Sequence, residues 1–300
     1  MFVTQTSRGF TLALQRLTAS IALAAGGVVL SGGVTTAQSQ LPPGFYSFAP
    51  GREVADALQL SPSAKQDLDA AVVAYLAKDY AGSLPFLERP AAEGNIQANW
   101  LSARILDLGL GVPANRSVAY GHYDKIASDY INKREEVYGN DRYFVFDSLT
   151  KMGTSLRTGD KSTGVKKNLA KALEYFQTAA TGGHASAQYG LGSMYLNGEG
   201  VIRDRSYGMR WLGTAAKKRY APAAALLGDA YETLGEIVRA VVWYRIAADN
   251  AGPDLAVYVV AQHDKLVSQL APKNRARAEE LYHKWAKRYP VREQQALRAD

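Results

Sequence analysis

The sequence contains no cysteine, which excludes disulfide bonds, thiolate metal sites and a cysteine nucleophile. Histidine is scarce, and no histidine has a second one four residues away, the spacing that a helical metal site needs. The four are His122, His184, His263 and His283. No G-x-S-x-G turn of the serine hydrolases occurs either. The sequence therefore offers no catalytic, cofactor-binding or metal-binding residue, and we predict a protein that is not an enzyme and needs no cofactor.

A hydrophobic run long enough to cross a membrane is also missing. The apolar stretch at residues 21–34 is glycine-rich and shorter than the roughly 20 residues that a bilayer requires. Arg8 and Arg16 precede it, and the small residues Thr36 and Ala37 follow. This arrangement is typical of a cleavable signal peptide, here residues 1–37. We expect export to the periplasm without stable membrane insertion; an uncleaved anchor is the alternative.

Charge is not concentrated in any one segment. The formal net charge is +7, and the excess of lysine and arginine is spread along the chain. Such a distribution indicates a solubilising surface, with an acidic partner or an anionic surface as the alternative. We expect no nucleic-acid partner.

What the sequence does contain is an internal repeat. Residues 187–216 carry a pattern that returns 36 residues later, where Ala223, Leu227, Gly228 and Tyr231 restate Ala187, Leu191, Gly192 and Tyr195. A period of this length is the signature of stacked helical hairpins. We therefore predict an all-α fold, an α/α superhelical solenoid, whose task is to bind a partner.

Three columns of residues align the second helices of five hairpins. A bulky column, predicted to wedge against the neighbouring helix, contains Phe86, His122, Tyr175, Trp211 and Trp243. A small column five residues later, which lets backbones approach, contains Ala91, Ala127, Ala180, Ala216 and Ala248. A polar column before each second helix contains Asp79, Asn115, Asn168, Asp204 and Glu236. We interpret this last column as helix N-caps and not as a carboxylate site.

The predicted domain organisation follows from these repeats. Residues 38–62, rich in proline and glycine, form an irregular arm; residues 63–252 form the solenoid; residues 253–290 form capping helices; and residues 291–300 are a polar tail. Within the solenoid, residues 128–147 are an insertion, either a partner-binding segment or a tolerated loop, and the next hairpin is expected to start near Ser148. The basic outer side of the last helix is read as a cap, with a membrane or an anionic polymer as the alternative.

The motif at residues 191–216, with L-G-x-x-Y-x-x-G-x-G-V-x-x-D followed by tryptophan and paired alanines, resembles the Sel-one-like repeat family, a branch of the tetratricopeptide-like solenoids. The likeness covers about residues 64–290. The layout of the whole chain is similar to that of the ExoR-type periplasmic regulators of exopolysaccharide synthesis. That resemblance implies binding to the periplasmic domain of an ExoS-like sensor histidine kinase, repression of the pathway, and relief by a periplasmic protease.

Two other functions remain open at this point. A periplasmic scaffold in polysaccharide secretion or cell-envelope assembly shares every feature of the fold, and an envelope hydrolase is the third candidate. For the regulator, we expect the concave face and the insertion to dock the partner. His122, in the bulky column, is expected to be buried and neutral, so that acidification would destabilise the fold; an ordinary structural histidine is the alternative.

Overall fold

The computed structural model describes residues 60–133, 137, 139 and 141–290. The predicted signal peptide, nearly all of the N-terminal arm and the polar tail lie outside the described residues. The described part contains twelve α-helices and no β-strand: α1 Pro62–Leu76, α2 Tyr80–Ala92, α3 Ile96–Leu108, α4 Arg116–Lys133, α5 Asp141–Thr158, α6 Leu169–Thr181, α7 Ala185–Asn197, α8 Arg205–Lys217, α9 Ala221–Thr233, α10 Ile237–Ala248, α11 Pro253–Gln269 and α12 Pro272–Arg288. In this range, no helix is both long and apolar enough to cross a membrane.

The helices pair into hairpins, and the hairpins stack. Each odd-numbered helix from α1 to α9 packs against the even-numbered helix that follows it, and α3, α5, α7 and α9 also contact one another in order. We call the odd-numbered members first helices and the even-numbered members second helices. Both α11 and α12 pack against α10. The prediction of an all-α solenoid of helical hairpins is confirmed.

The polar column caps the second helices as predicted, with one exception. The Asp79 and Asp204 carboxylates accept from the backbone amides three residues later at 2.9 and 2.8 Å, and Asn115 and Asn168 do the same at 3.2 and 3.0 Å. Glu236 makes no such bond. The longer glutamate side chain is a poor N-cap, whereas aspartate and asparagine have the length that the cap requires.

The bulky column is wrong by one residue at four of its five positions, and Tyr175 is the exception. The side chains buried at that level of each second helix are one position later, and they are Leu87, Tyr123, Phe176, Leu212 and Tyr244. In the predicted column, Phe86 is 38% exposed, and His122, Trp211 and Trp243 are only half-buried. Tyr175 is buried as predicted. The reason is helical geometry. Residues five apart point about 140° away from each other, whereas residues four apart, such as Leu212 and Ala216, share a face.

Glycines let α7 and α8 contact each other through their backbones. A Cβ placed on Gly208 of α8 would lie 2.7 Å from the carbonyl oxygen of Gly192 on α7 and 2.8 Å from the amide nitrogen of Leu196. Leu212 packs beside the same point, 2.9 Å from a Cβ placed on Gly192. Any larger side chain at position 208 would therefore push α7 and α8 apart.

The expected insertion at residues 128–147 lengthens two helices of adjacent hairpins. Helices α4 and α5 have 18 residues each, whereas α6 to α10 have 12 or 13. The hairpin expected to start near Ser148 begins at Asp141 instead. Buried Phe144, Val145 and Phe146 give the extension an apolar face of its own, and the Phe146 ring lies 6.1 Å from that of Tyr130 on α4.

Candidate interaction site

A cleft opens between the second helices α2 and α4, and its floor is the first helix α3. Its volume is about 690 Å³, within the range of about 300–1,000 Å³ that is usual for binding sites. Small side chains keep it open: Ala91 and Ala92 line it from α2, and Gly121 lines it from α4. A Cβ added to Gly121 would meet no atom within 4 Å.

One end of the cleft is polar, and its hydrogen bonds fix the state of His122. The Asn99 side-chain amide donates to the carbonyl oxygens of Ala91 at 3.0 Å and Asn95 at 2.9 Å. Its oxygen is therefore the acceptor that faces His122 Nδ1, at 2.9 Å. Because that oxygen can only accept, Nδ1 carries the proton. In the neutral ring, Nε2 is then a hydrogen-bond acceptor, and it has no partner among the described residues.

Burial lowers the pKa of His122, and the nearby ammonium group of Lys125 lowers it further. The imidazole is therefore neutral at pH 7. Lys125 itself donates to the carbonyl oxygen of Ala91 at 2.8 Å. Glu88 on α2 is exposed and also lines the cleft. The polar end thus offers one cation, one anion and one neutral acceptor.

Ser102 lies on the floor of the cleft. It is only 5% exposed, and its hydroxyl has no hydrogen-bond partner within the part of the chain that the structure describes. The other walls are apolar, formed by Leu84, Leu106 and Val118. A ligand in the cleft can form a hydrogen bond with the Ser102 hydroxyl.

Two buried amide side chains connect second helices to the first helices that follow. Asn99 bonds the Ala91 carbonyl, and Gln188, eight residues after Ala180, bonds the Ala180 carbonyl in the same way at 3.1 Å. The sequence reasoning missed this pair. The available signal was an amide residue eight positions after an alanine of the small column in both hairpins.

A second polar cluster links three first helices through their buried faces. The Trp100 indole of α3 donates to Asp147 of α5 at 2.8 Å, and the His184 ring, just before α7, has Nε2 at 3.9 Å from the same carboxylate. His184 Nδ1 lies 2.9 Å from the Thr150 hydroxyl, which itself donates to the carbonyl oxygen of Phe146. Burial lowers the pKa of His184, and Asp147 opposes that effect. This cluster joins helices and leaves no open site.

The other two histidines lie on the terminal helices. His263 has Nδ1 2.9 Å from Asp264, and His283 is exposed, with Nε2 3.7 Å from Glu279. Across residues 60–133 and 141–290, no group of three or more histidine, aspartate or glutamate residues is arranged to hold a metal ion. The cleft between α2 and α4 is a concave surface on which a ligand could bind.

One family model and several solved structures are similar to this chain. The family model described as Sel1 repeat matches residues 96–129, 147–184, 185–220, 221–251 and 268–289, together more than half of the chain. The solved structure of a Sel1 repeat protein from Oxalobacter formigenes aligns with 76% of this chain and 88% of its own, at 23% identity and a TM-score of 0.49. A protective antigen of uropathogenic Escherichia coli with an SLR fold aligns with 75% of this chain and 54% of its own, at the same identity and TM-score.

Two similar proteins are named exopolysaccharide production negative regulator. The one from Rhizobium meliloti (strain 1021) is 29% identical over 59% of this chain, and the one from Rhizobium leguminosarum bv. viciae is 26% identical over 64%. The chain spans 65% and 71% of the lengths of these two relatives.

Proposed function

Because the chain belongs to the Sel1 repeat family, we propose that it is a non-catalytic regulator that works by binding another protein. The observation that carries this proposal is its likeness to two relatives named as negative regulators of exopolysaccharide production. We assign the same role here, repression of exopolysaccharide synthesis. A stack of rigid hairpins suits the task, since a preorganised surface loses little conformational entropy on association.

The partner that we propose is the periplasmic domain of an ExoS-like sensor histidine kinase, and the place of binding is the periplasm. The leader at residues 1–37 supports export, because a short, glycine-rich apolar segment behind two arginines is typical of a signal peptide. Proteolysis in the periplasm would end the repression. The lengthened helices α4 and α5 and the cleft beside α4 are the surfaces that set this chain apart from a uniform stack.

Deleting the gene from the bacterium that encodes it tests the regulatory role. We expect exopolysaccharide output to rise, and the full chain supplied in trans to restore the original level. A chain without residues 1–37, retained in the cytoplasm, should fail to restore it. Unchanged output in the deletion strain would refute repression.

A scaffold in polysaccharide secretion or cell-envelope assembly is the alternative function, and the same strain separates the two. Loss of a scaffold would lower polymer output, because export would be interrupted.

Binding to the kinase is tested directly by titrating its purified periplasmic domain onto the immobilised mature chain, residues 38–300. Absence of saturable binding at micromolar concentrations would remove the kinase as the partner.

A further inference from the structure

The cleft lies at a position where other hairpins carry an aromatic ring. His122 of α4 occupies the same place in its helix as Tyr175 of α6 and Trp243 of α10. Both of these rings reach a neighbouring second helix. Tyr175 is buried, and burial raises the pKa of its hydroxyl. The carboxylate of Asp124 on α4 is close enough to raise that pKa further. The Trp243 ring lies 6.3 Å from Trp285 of α12.

In α4 this position is His122, and the residue before it is Gly121. The space between α2 and α4 therefore lacks a ring of the size of Tyr175 or Trp243. The groups left around that space are acceptors and apolar walls. His122 Nε2 is an acceptor with its partner position free in the described part of the chain, and Ser102, which lines the cleft, makes no side-chain hydrogen bond there. Leu84 and Val118 flank them with apolar surface.

We propose that the cleft between α2 and α4 is a socket for an aromatic side chain of the protein partner, a tyrosine or tryptophan, whose O–H or N–H donates to His122 Nε2 or Ser102. The proposal rests on the proposed function in that the ring comes from a bound protein. It fits the general behaviour of interfaces, where a few buried tryptophan or tyrosine anchors carry most of the binding free energy. The charged groups at the rim, Lys125 and Glu88, have opposite signs, so the socket favours a neutral ring over an ion.

The first test uses small probes and the isolated chain, and it does not depend on any partner. N-acetyl-L-tyrosinamide is titrated into the mature chain labelled with ¹⁵N-histidine, and N-acetyl-L-phenylalaninamide, which lacks only the hydroxyl, serves as the matched probe. We expect the Nε2 resonance of His122 to shift in a saturable manner with the tyrosine probe and less with the phenylalanine probe. Ser102→Ala should weaken the binding of the tyrosine probe several-fold. A His122 resonance that stays fixed up to saturating probe overturns the proposal.

A blocking variant makes the test specific. Gly121→Leu fills the socket from α4, and because a Cβ there meets no atom within 4 Å, the helix accommodates it. The control is Gly213→Leu on α8, where a Cβ also meets nothing within 4 Å but lies outside the cleft. We expect Gly121→Leu to abolish the probe-induced shift and Gly213→Leu to leave it unchanged. Equal shifts in both variants overturn the proposal. Unfolding midpoints no lower than that of the parent confirm that both variants fold.

The second test separates the socket from the proposed function. The same variants are titrated with the periplasmic kinase domain. We expect Gly121→Leu to weaken binding about 30-fold, the change typical of losing one anchor residue, and Gly213→Leu to bind as the parent does. If the parent binds and Gly121→Leu binds equally well, the socket is wrong and the regulatory function stands. If the parent does not bind, the kinase assignment fails, and the probe titration alone decides the socket.

Discussion

Replacing Gly208 by alanine should drive apart two helices that touch through their backbones. The added Cβ would lie 2.7 Å from the Gly192 carbonyl oxygen, 2.8 Å from the Leu196 amide nitrogen and 3.2 Å from the Leu196 Cα. All three are backbone atoms, so no side-chain rotation relieves the contact, and α8 must move away from α7. Such overpacking costs about 1–3 kcal/mol.

Gly213→Ala provides the matched control on the same helix. Both substitutions gain about 1 kcal/mol in helix propensity, because alanine is favoured over glycine within a helix. At Gly213 the new Cβ meets no atom within 4 Å, so the gain in helix propensity is the whole effect of the substitution. The two variants should therefore differ by the overpacking cost alone, about 1–3 kcal/mol. In a domain of this size that corresponds to a difference of about 2–12 °C in Tm.

Far-UV circular dichroism during urea and thermal unfolding measures the effect. Since stacked repeats need not unfold in a single step, the midpoints of the parent and the two variants are compared directly. Gly213→Ala should unfold later than the parent and Gly208→Ala earlier than Gly213→Ala. If the two alanine variants share one midpoint, α7 and α8 are not in backbone contact and the packing described for this hairpin is wrong.

Three further measurements test the core, the caps and the histidine. Leu212→Ala should lower the free energy of unfolding in urea by about 2–5 kcal/mol, because the side chain is fully buried, and Trp211→Ala should lower it less. The reverse order would show that Trp211, as first predicted, is the core residue. Asp204→Ala should cost about 1 kcal/mol by removing an N-cap bond, whereas Glu236→Ala, at a position without that bond, should cost close to nothing; equal losses would reject the cap. Because the pKa of His122 is lowered in the folded state, its contribution to stability should be complete above about pH 6.5 and fall as the pH drops below that value. His122→Gln should therefore flatten the pH dependence of the unfolding midpoint between pH 7 and 5. An unchanged slope would show that His122 is an ordinary structural histidine.

Local chemistry explains why much of the fold could be predicted from the sequence. Gly109 and Gly198 adopt φ angles of 64° and 75° at the ends of α3 and α7, a backbone conformation that glycine tolerates best. Asp79 and Asp204 cap the helices that follow them because a short acceptor side chain reaches the free amides of the first turn. Features of this kind depend only on neighbours in the chain.

Features that depend on distant residues were harder to predict. Trp211 has the size of a core residue, but its position five residues before Ala216 turns it away from the buried face, and sequence size alone does not reveal that rotation. The start of α5 at Asp141 could not be placed, because its apolar residues pack against α4 and resemble an insertion when read alone. The cleft was missed, since it exists only where Gly121 faces another hairpin across empty space.

The partly buried carboxylate of Asp147 makes neighbouring hairpins dependent on one another. It receives the indole N–H of Trp100 and faces the His184 ring, and each of these residues lies in a different hairpin. If the hairpin of Trp100 separated alone, the Asp147 carboxylate would lose its indole donor, a hydrogen bond to a charged group that contributes about 1.5–3 kcal/mol. Separation of this hairpin is therefore less favourable than it would be without that bond, and a protease that requires the separated state acts on a rarer population.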